Sequence, residues 1–194
     1  MSVGAPCLFG NGPFFLPRAL TRSQSIFLTA HYTAKHTRRH SECPEVMVWN
    51  TQTQPDRDGT QASSMASCPD LVLIGHERDA EYALDVTDLG GVARAASGGS
   101  DRAVLTWDLK AGPVAGSSGS PPSLSPIHRF QGHTRTVEDC CFGPVGGGDL
   151  LCSCGGDRSL LFWDARAGPS AVASAPDAHE DDANCCAWSA LEPK

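Results

Sequence analysis

Between Gln131 and Arg166 the apolar and β-branched residues fall into three short runs: Val137 to Phe142, Leu150 to Cys154 and Ser159 to Trp163. Gly/Pro-rich or Gly-Asp breaks separate them, which is the pattern of short antiparallel strands joined by turns. The stretch opens on Gly132-His133 and closes on Trp163-Asp164. The same alternation marks further strands at Pro44 to Asn50, Leu71 to Ile74, Ala80 to Val86, Ala93 to Ser97, Val104 to Trp107 and Ile127 to Phe130. Short strands at Ala171 to Ala175 and Ala183 to Trp188 complete the prediction. The polar stretches 51–70 and 110–126 are read as loops, the second flexible because it is rich in Pro, Ser and Gly. Gly146-Gly147-Gly148 is a turn, since no Gly-Lys-Ser/Thr follows to make a phosphate loop.

The pattern repeats. Gly75-His76 opens a second unit that ends at Trp107-Asp108; His76 to Trp107 is 31 positions and His133 to Trp163 is 30. Inside each unit a serine, an aspartate and the tryptophan recur in step, as Ser97, Asp101, Trp107 and Ser153, Asp157, Trp163. Gly-His at the start and Trp-Asp at the end of a three-strand unit is the signature of a WD repeat. Trp49-Asn50 stands where an earlier unit would end, and Ala178-His179 where a later one would begin. The expected fold is therefore all-β, a partial WD-repeat β-propeller of about two full blades with parts of two others. A propeller closes with four to eight blades, so the count implies a truncated one, spanning residues 42–194.

A hydroxyl, an imidazole, a carboxylate and an indole N–H can satisfy one another in a line. The sets His76, Ser97, Asp101, Trp107 and His133, Ser153, Asp157, Trp163 are expected to form such structural networks. A His/Ser/Asp set also invites a hydrolase reading. Its recurrence within a repeat makes the structural role the better one, so no catalytic residue is assigned and the chain is read as a non-enzyme.

Charge and cysteines narrow the partners. The formal charge is −7, with Arg18, Arg22, Lys35, Arg38 and Arg39 and no acid in residues 1–41, against 22 acids and 10 bases in the remainder. The acidic body disfavours direct nucleic-acid binding and favours cationic partners. Residues 1–41 superficially resemble an organelle transit peptide, but are read here as a basic, disordered leader. No apolar run approaches 18 residues, so no membrane span is expected. Of nine cysteines, Cys140, Cys141, Cys152, Cys154, Cys185 and Cys186 fall in predicted strands. They are read as packed thiols in a reducing compartment, with no zinc site and no other metal or cofactor, since paired C-x-x-C arms are lacking. Disulfides are disfavoured because adjacent cysteines on a strand point to opposite faces.

Surface residues must then carry function. The fifth position after each histidine is Glu81, Glu138 and Asn184, where the innermost strand of a blade begins near the channel mouth. Carboxylates there suit a Lys/Arg-bearing peptide; from the pattern alone, ordinary solvated residues at a strand start fit equally well.

The segments PEVMVWNTQTQP, PDLVLIGHERDAEYALD, GHTRTVEDCCF and AHEDDANCCAW resemble the retinoblastoma-associated histone-binding WD-repeat family. The likeness is nearest to its MSI-like plant and algal class, which includes a flowering-time regulator. The resemblance covers about residues 42–194. It implies a seven-bladed parent fold and a nuclear scaffold that presents histones to deacetylase, Polycomb-type and chromatin-assembly complexes and so regulates transcription. It also implies that Glu81, Glu138 and Asn184 contact a basic histone-tail peptide, with Tyr82 packing beside it. The family's groove for a histone helix has no counterpart in this sequence. Finally, Trp163-Asp164-Ala165-Arg166 resembles the WDxR box with which some WD-repeat proteins dock on the adaptor of cullin–RING ubiquitin ligases. Arg166 would then be the docking determinant of a substrate receptor. A generic WD-repeat scaffold is the remaining alternative.

Overall fold

A computed structural model describes residues 26–31, 45–50, 69–77, 82–89, 91–116 and 120–189. Among them there are strands and turns and no helix. Three four-stranded sheets follow one another. The third is the stretch from Gln131 onward: β9 (Val137–Phe142), β10 (Leu150–Gly155), β11 (Leu160–Asp164) and β12 (Ala173–Ala175), each antiparallel to the next. The second repeats it with β4 (Tyr82–Leu89), β5 (Val92–Gly99), β6 (Ala103–Asp108) and β8 (His128–Gln131). In both, the Gly-His dipeptide precedes the first strand and the Trp-Asp dipeptide closes the third. These are two blades of a partial propeller.

The first sheet has the order β1 (Ile26–His31), β2 (Glu45–Asn50), β3 (Leu71–Leu73), β7 (Ser123–Leu124). Two of its members depart from the sequence expectation. Strand β1 lies in the segment read as a disordered leader, yet pairs antiparallel with β2 along its whole length, from Ile26 opposite Asn50 to His31 opposite Glu45. Ile-Phe-Leu-Thr is good strand sequence, but it carries no repeat signature. Strand β7 lies in the segment read as a flexible loop; it adds to β3 in parallel, and Val114 bridges back to Ser123.

A third departure is at Ala183 to Trp188, expected to be a strand and found as irregular backbone. Among the described residues it has no second strand with which to form a ladder. It is attached instead by single bonds, from Ala183 N–H to the Gly155 carbonyl (3.1 Å) and from Cys186 N–H to the Asp139 carboxylate (2.9 Å).

Apolar residues fill the seams between sheets. Val46, Val48, Leu73, Leu84, Leu105 and Trp107 pack together across the first seam. Ala96, Val104, Phe130, Val137, Phe142 and Trp163 do so across the second. On the far face of the third sheet, Cys141, Cys152 and Cys154 meet Ala183 and Cys186. Gly98 shows how close the second seam is: a Cβ built there would lie 2.4 Å from a methyl of Val137. Only a residue without a side chain lets β5 pass that near β9.

Candidate functional site

The polar set of the third blade is complete. His133, brought in just after β8, is held with its Nδ1 3.0 and 3.1 Å from the two carboxylate oxygens of Asp157 and its Nε2 2.8 Å from Ser153 Oγ. The Trp163 indole N–H donates to the same Ser153 oxygen at 2.8 Å. Donor and acceptor counting fixes the proton order: Nδ1–H donates to the carboxylate, Nε2 accepts the serine O–H, and the serine oxygen accepts from tryptophan. That order needs a neutral imidazole. Burial pushes the His133 pKa below its usual 6.5, more strongly than the Asp157 hydrogen bond and charge raise it. Asp157 is the reverse: burial opposes its charge. Hydrogen bonds from Thr134 N–H, His133 and Ser159 N–H nevertheless hold it below the ordinary carboxylate range.

The second blade repeats three of these four members. His76 Nδ1 lies 2.9 and 3.0 Å from the Asp101 oxygens and its Nε2 2.6 Å from Ser97 Oγ. Trp107, expected on Ser97, donates instead to the carbonyl of Ile74 at 3.2 Å. The indole is fully buried in both blades and lies 6.2 to 6.3 Å from its histidine ring, so the difference is one of hydrogen-bond choice rather than placement. Asp101 is again held below the ordinary carboxylate range, with burial opposing the His76 hydrogen bond and charge and the Glu77 and Ala103 N–H groups.

The two aspartates have a further task that the sequence did not reveal. Each stands at the tight turn into the third strand and is followed by an arginine in the left-handed region, Arg102 at φ 64° and Arg158 at φ 65°. Each accepts a bond from the backbone two residues on, Ala103 or Ser159. The carboxylate thus closes the turn while it orients the histidine. Ser97 and Ser153 are wholly inaccessible. A nucleophile must reach a substrate carbonyl, and neither oxygen can, so the geometry gives these residues a structural part.

The surface residues are placed as follows. Glu81 lies outside the described residues. Tyr82 is the first residue of β4, and its side chain is likewise not described. Glu138 is exposed on β9, between buried Val137 and buried Asp139. Asn184 is exposed on the irregular segment beside β9 and β10. Arg166 follows β11, and its side chain is 63% exposed. Its Nε and one terminal nitrogen grip the two Asp164 oxygens at 2.9 and 2.7 Å. This two-pronged bond, the Arg166 backbone N–H and the arginine charge bring the Asp164 pKa down to about 2. Behind it Asp149 pairs with half-buried Arg94 at 2.5 Å.

Residues 124–164, from β7 to the end of β11, match the family model of the WD domain, G-beta repeat. Over 167 residues the chain is 34% identical to WD-40 repeat-containing protein MSI4 of Arabidopsis thaliana, covering 77% of this chain and 32% of that protein. The chain carries a WD repeat and is similar to MSI-like WD-repeat proteins. It is also 36% identical over 69 residues to nuclear distribution protein PAC1 of Arthroderma otae, covering 36% of this chain and 12% of that protein. This WD-repeat chain therefore spans about a third or less of the length of these curated relatives. WD-repeat proteins are typically non-enzymatic scaffolds whose surfaces carry protein–protein contacts, which agrees with burial of the His/Ser/Asp sets.

Proposed function

We propose that this chain is a non-enzymatic histone-binding scaffold subunit of nuclear chromatin-modifying complexes, of the deacetylase, Polycomb-type or chromatin-assembly kind, through which it regulates transcription. The observation that carries the reading is the exposed carboxylate of Glu138 on the innermost strand of the third blade. Exposed Asn184 lies on the adjoining segment, and Glu81 and Tyr82 occupy the matching positions of the preceding unit. The carboxylate of Glu138 and the amide of Asn184 can hold the ammonium and guanidinium groups of a histone tail by hydrogen bonds, charge-assisted at the carboxylate. The net charge of −7 attracts the same cationic peptide over a longer range. Binding of an unmodified histone-tail peptide to the chain tests this by fluorescence anisotropy. A charge-assisted bond is worth about 1.5–3 kcal/mol, so Glu138→Ala is expected to weaken binding at least about tenfold. Equal binding by the variant rejects the site.

Arg166 supports a second reading, as the determinant with which a cullin–RING ligase adaptor would be engaged. Its guanidinium is oriented by Asp164 rather than swinging freely, and a pre-oriented charge loses less entropy on docking. Arg166→Ala should abolish co-purification of the adaptor while leaving histone-peptide binding intact; undiminished recovery of the adaptor would remove this reading and leave the first untouched.

A further inference from the structure

The far face of the third blade holds a concentration of thiols with no part in the reading above. Cys141 on β9 lies directly opposite Cys152 on β10, and Cys154 is two residues further along the same face. Cys186 closes over them from the segment after β12, and its sulfur stands 3.5 Å from that of Cys141. Cys140 points the other way, into the second seam. All six described thiols are unbridged. Beside the cluster is a cavity of about 240 Å³ lined by Cys152, Phe162, His179, Cys185, Cys186 and Trp188. A water molecule occupies about 30 Å³, so a reagent as small as hydrogen peroxide can reach the Cys186 sulfur from this cavity.

We infer that Cys141 and Cys186 are an oxidisable pair that a hydroperoxide closes into a disulfide, tying the innermost strand of the third blade to the segment that follows it. The two sulfurs must approach by about 1.5 Å to reach the bonded separation of about 2.0 Å. In the first step one sulfur, as thiolate, attacks a peroxide oxygen; the O–O bond breaks, hydroxide leaves and a sulfenic acid forms. In the second, the partner sulfur displaces that oxygen, which departs as water. Two thiols and one hydrogen peroxide give one disulfide and two waters, with two electrons passing from sulfur to oxygen. The proton that the attacking thiol gives up joins the leaving hydroxide as water.

The consequence is local and reversible. The bond would span 45 positions of chain. It would fix the segment carrying Asn184 against β9, which otherwise rests on single hydrogen bonds such as Cys186 N–H to Asp139 and Trp188 Nε1–H to the Cys141 carbonyl at 3.2 Å.

The test treats the reduced chain with one equivalent of hydrogen peroxide, caps remaining thiols and maps bridges by non-reducing peptide mass spectrometry, with thermal unfolding measured in parallel. The expected result is a within-chain bridge between Cys141 and Cys186, a loss of two hydrogens from the chain mass, and a raised unfolding midpoint that dithiothreitol returns to its starting value. Cys185→Ser should keep the bridge, and Cys186→Ser should lose both bridge and midpoint shift. Mapping on the unaltered chain decides the matter even if Cys186→Ser misfolds. Full alkylation of Cys141 and Cys186 after peroxide, a bridge through Cys185 or Cys140, or covalent dimers would each overturn the inference.

Discussion

Ser153 takes two bonds with one hydroxyl, whereas Ser97 is bonded to His76 and leaves Trp107 to a backbone carbonyl. This asymmetry gives a prediction. Ser153→Ala strands both the His133 Nε2 and the Trp163 N–H in a buried site, at a cost of about 1–3 kcal/mol; Ser97→Ala strands one group and should cost less. Chemical denaturation of the two variants checks the order, and equal costs would contradict the assignment of donors. Titration gives another. The folded pKa of His133 lies below 6.5, so between those values the unfolded chain binds the extra proton and the folded chain does not. The stabilisation is fully present above about pH 6.5 and is lost as pH falls below it. His128, lowered first by burial and then by Arg94, acts in the same direction. The unfolding midpoint should therefore hold steady above pH 7 and decline below about 6.5 in a pH series, with a shallower decline in His133→Gln. Spacing of four and six residues made both sets legible in the sequence. The choice of acceptor for Trp107 was not, because it turns on where the Ile74 carbonyl sits.

At the scale of the element, strands bearing a repeat signature were legible and those without one were not. Alternation placed β9 to β11 within a residue or two, since one face of each packs into a seam and the turns between them carry Gly-Asp. Strand β1 carries neither Gly-His nor Trp-Asp, and its segment drew attention only for its charge. Strand β7 owes its pairing to β3, about fifty residues earlier, and no local pattern announces a two-residue parallel contact. Ala183 to Trp188 reads as a strand because Cys, Ala and Trp suit one, but a strand exists only where a neighbour completes its ladder. Contact between elements is tested at Gly98. Its replacement by alanine drives a Cβ into Val137, and overpacking of this kind costs about 1–3 kcal/mol. If β5 and β9 pack as described, Gly98→Ala,Val137→Ala should recover part of that loss in denaturant titrations. Strict additivity of the two substitutions would separate the strands.

For the whole molecule, the buried tetrads, the apolar seams and the turn-closing aspartates keep successive blades in register, and the residues available to partners are those left on the edges. Glu138 and Arg166 sit on different strands of one blade, β9 and just past β11, so a peptide and a docking adaptor need not compete. Arg166→Ala, made at a 63% exposed side chain, should leave the denaturation midpoint unchanged whatever it does to adaptor recovery. The most direct measurement of the central claim is titration of the chain with an unmodified histone-tail peptide, comparing the native sequence, Glu138→Ala and Arg166→Ala. The account predicts saturable binding that weakens about tenfold or more in Glu138→Ala and is unchanged in Arg166→Ala. Absence of binding to the native chain, or equal affinity for the native chain and Glu138→Ala, would contradict it.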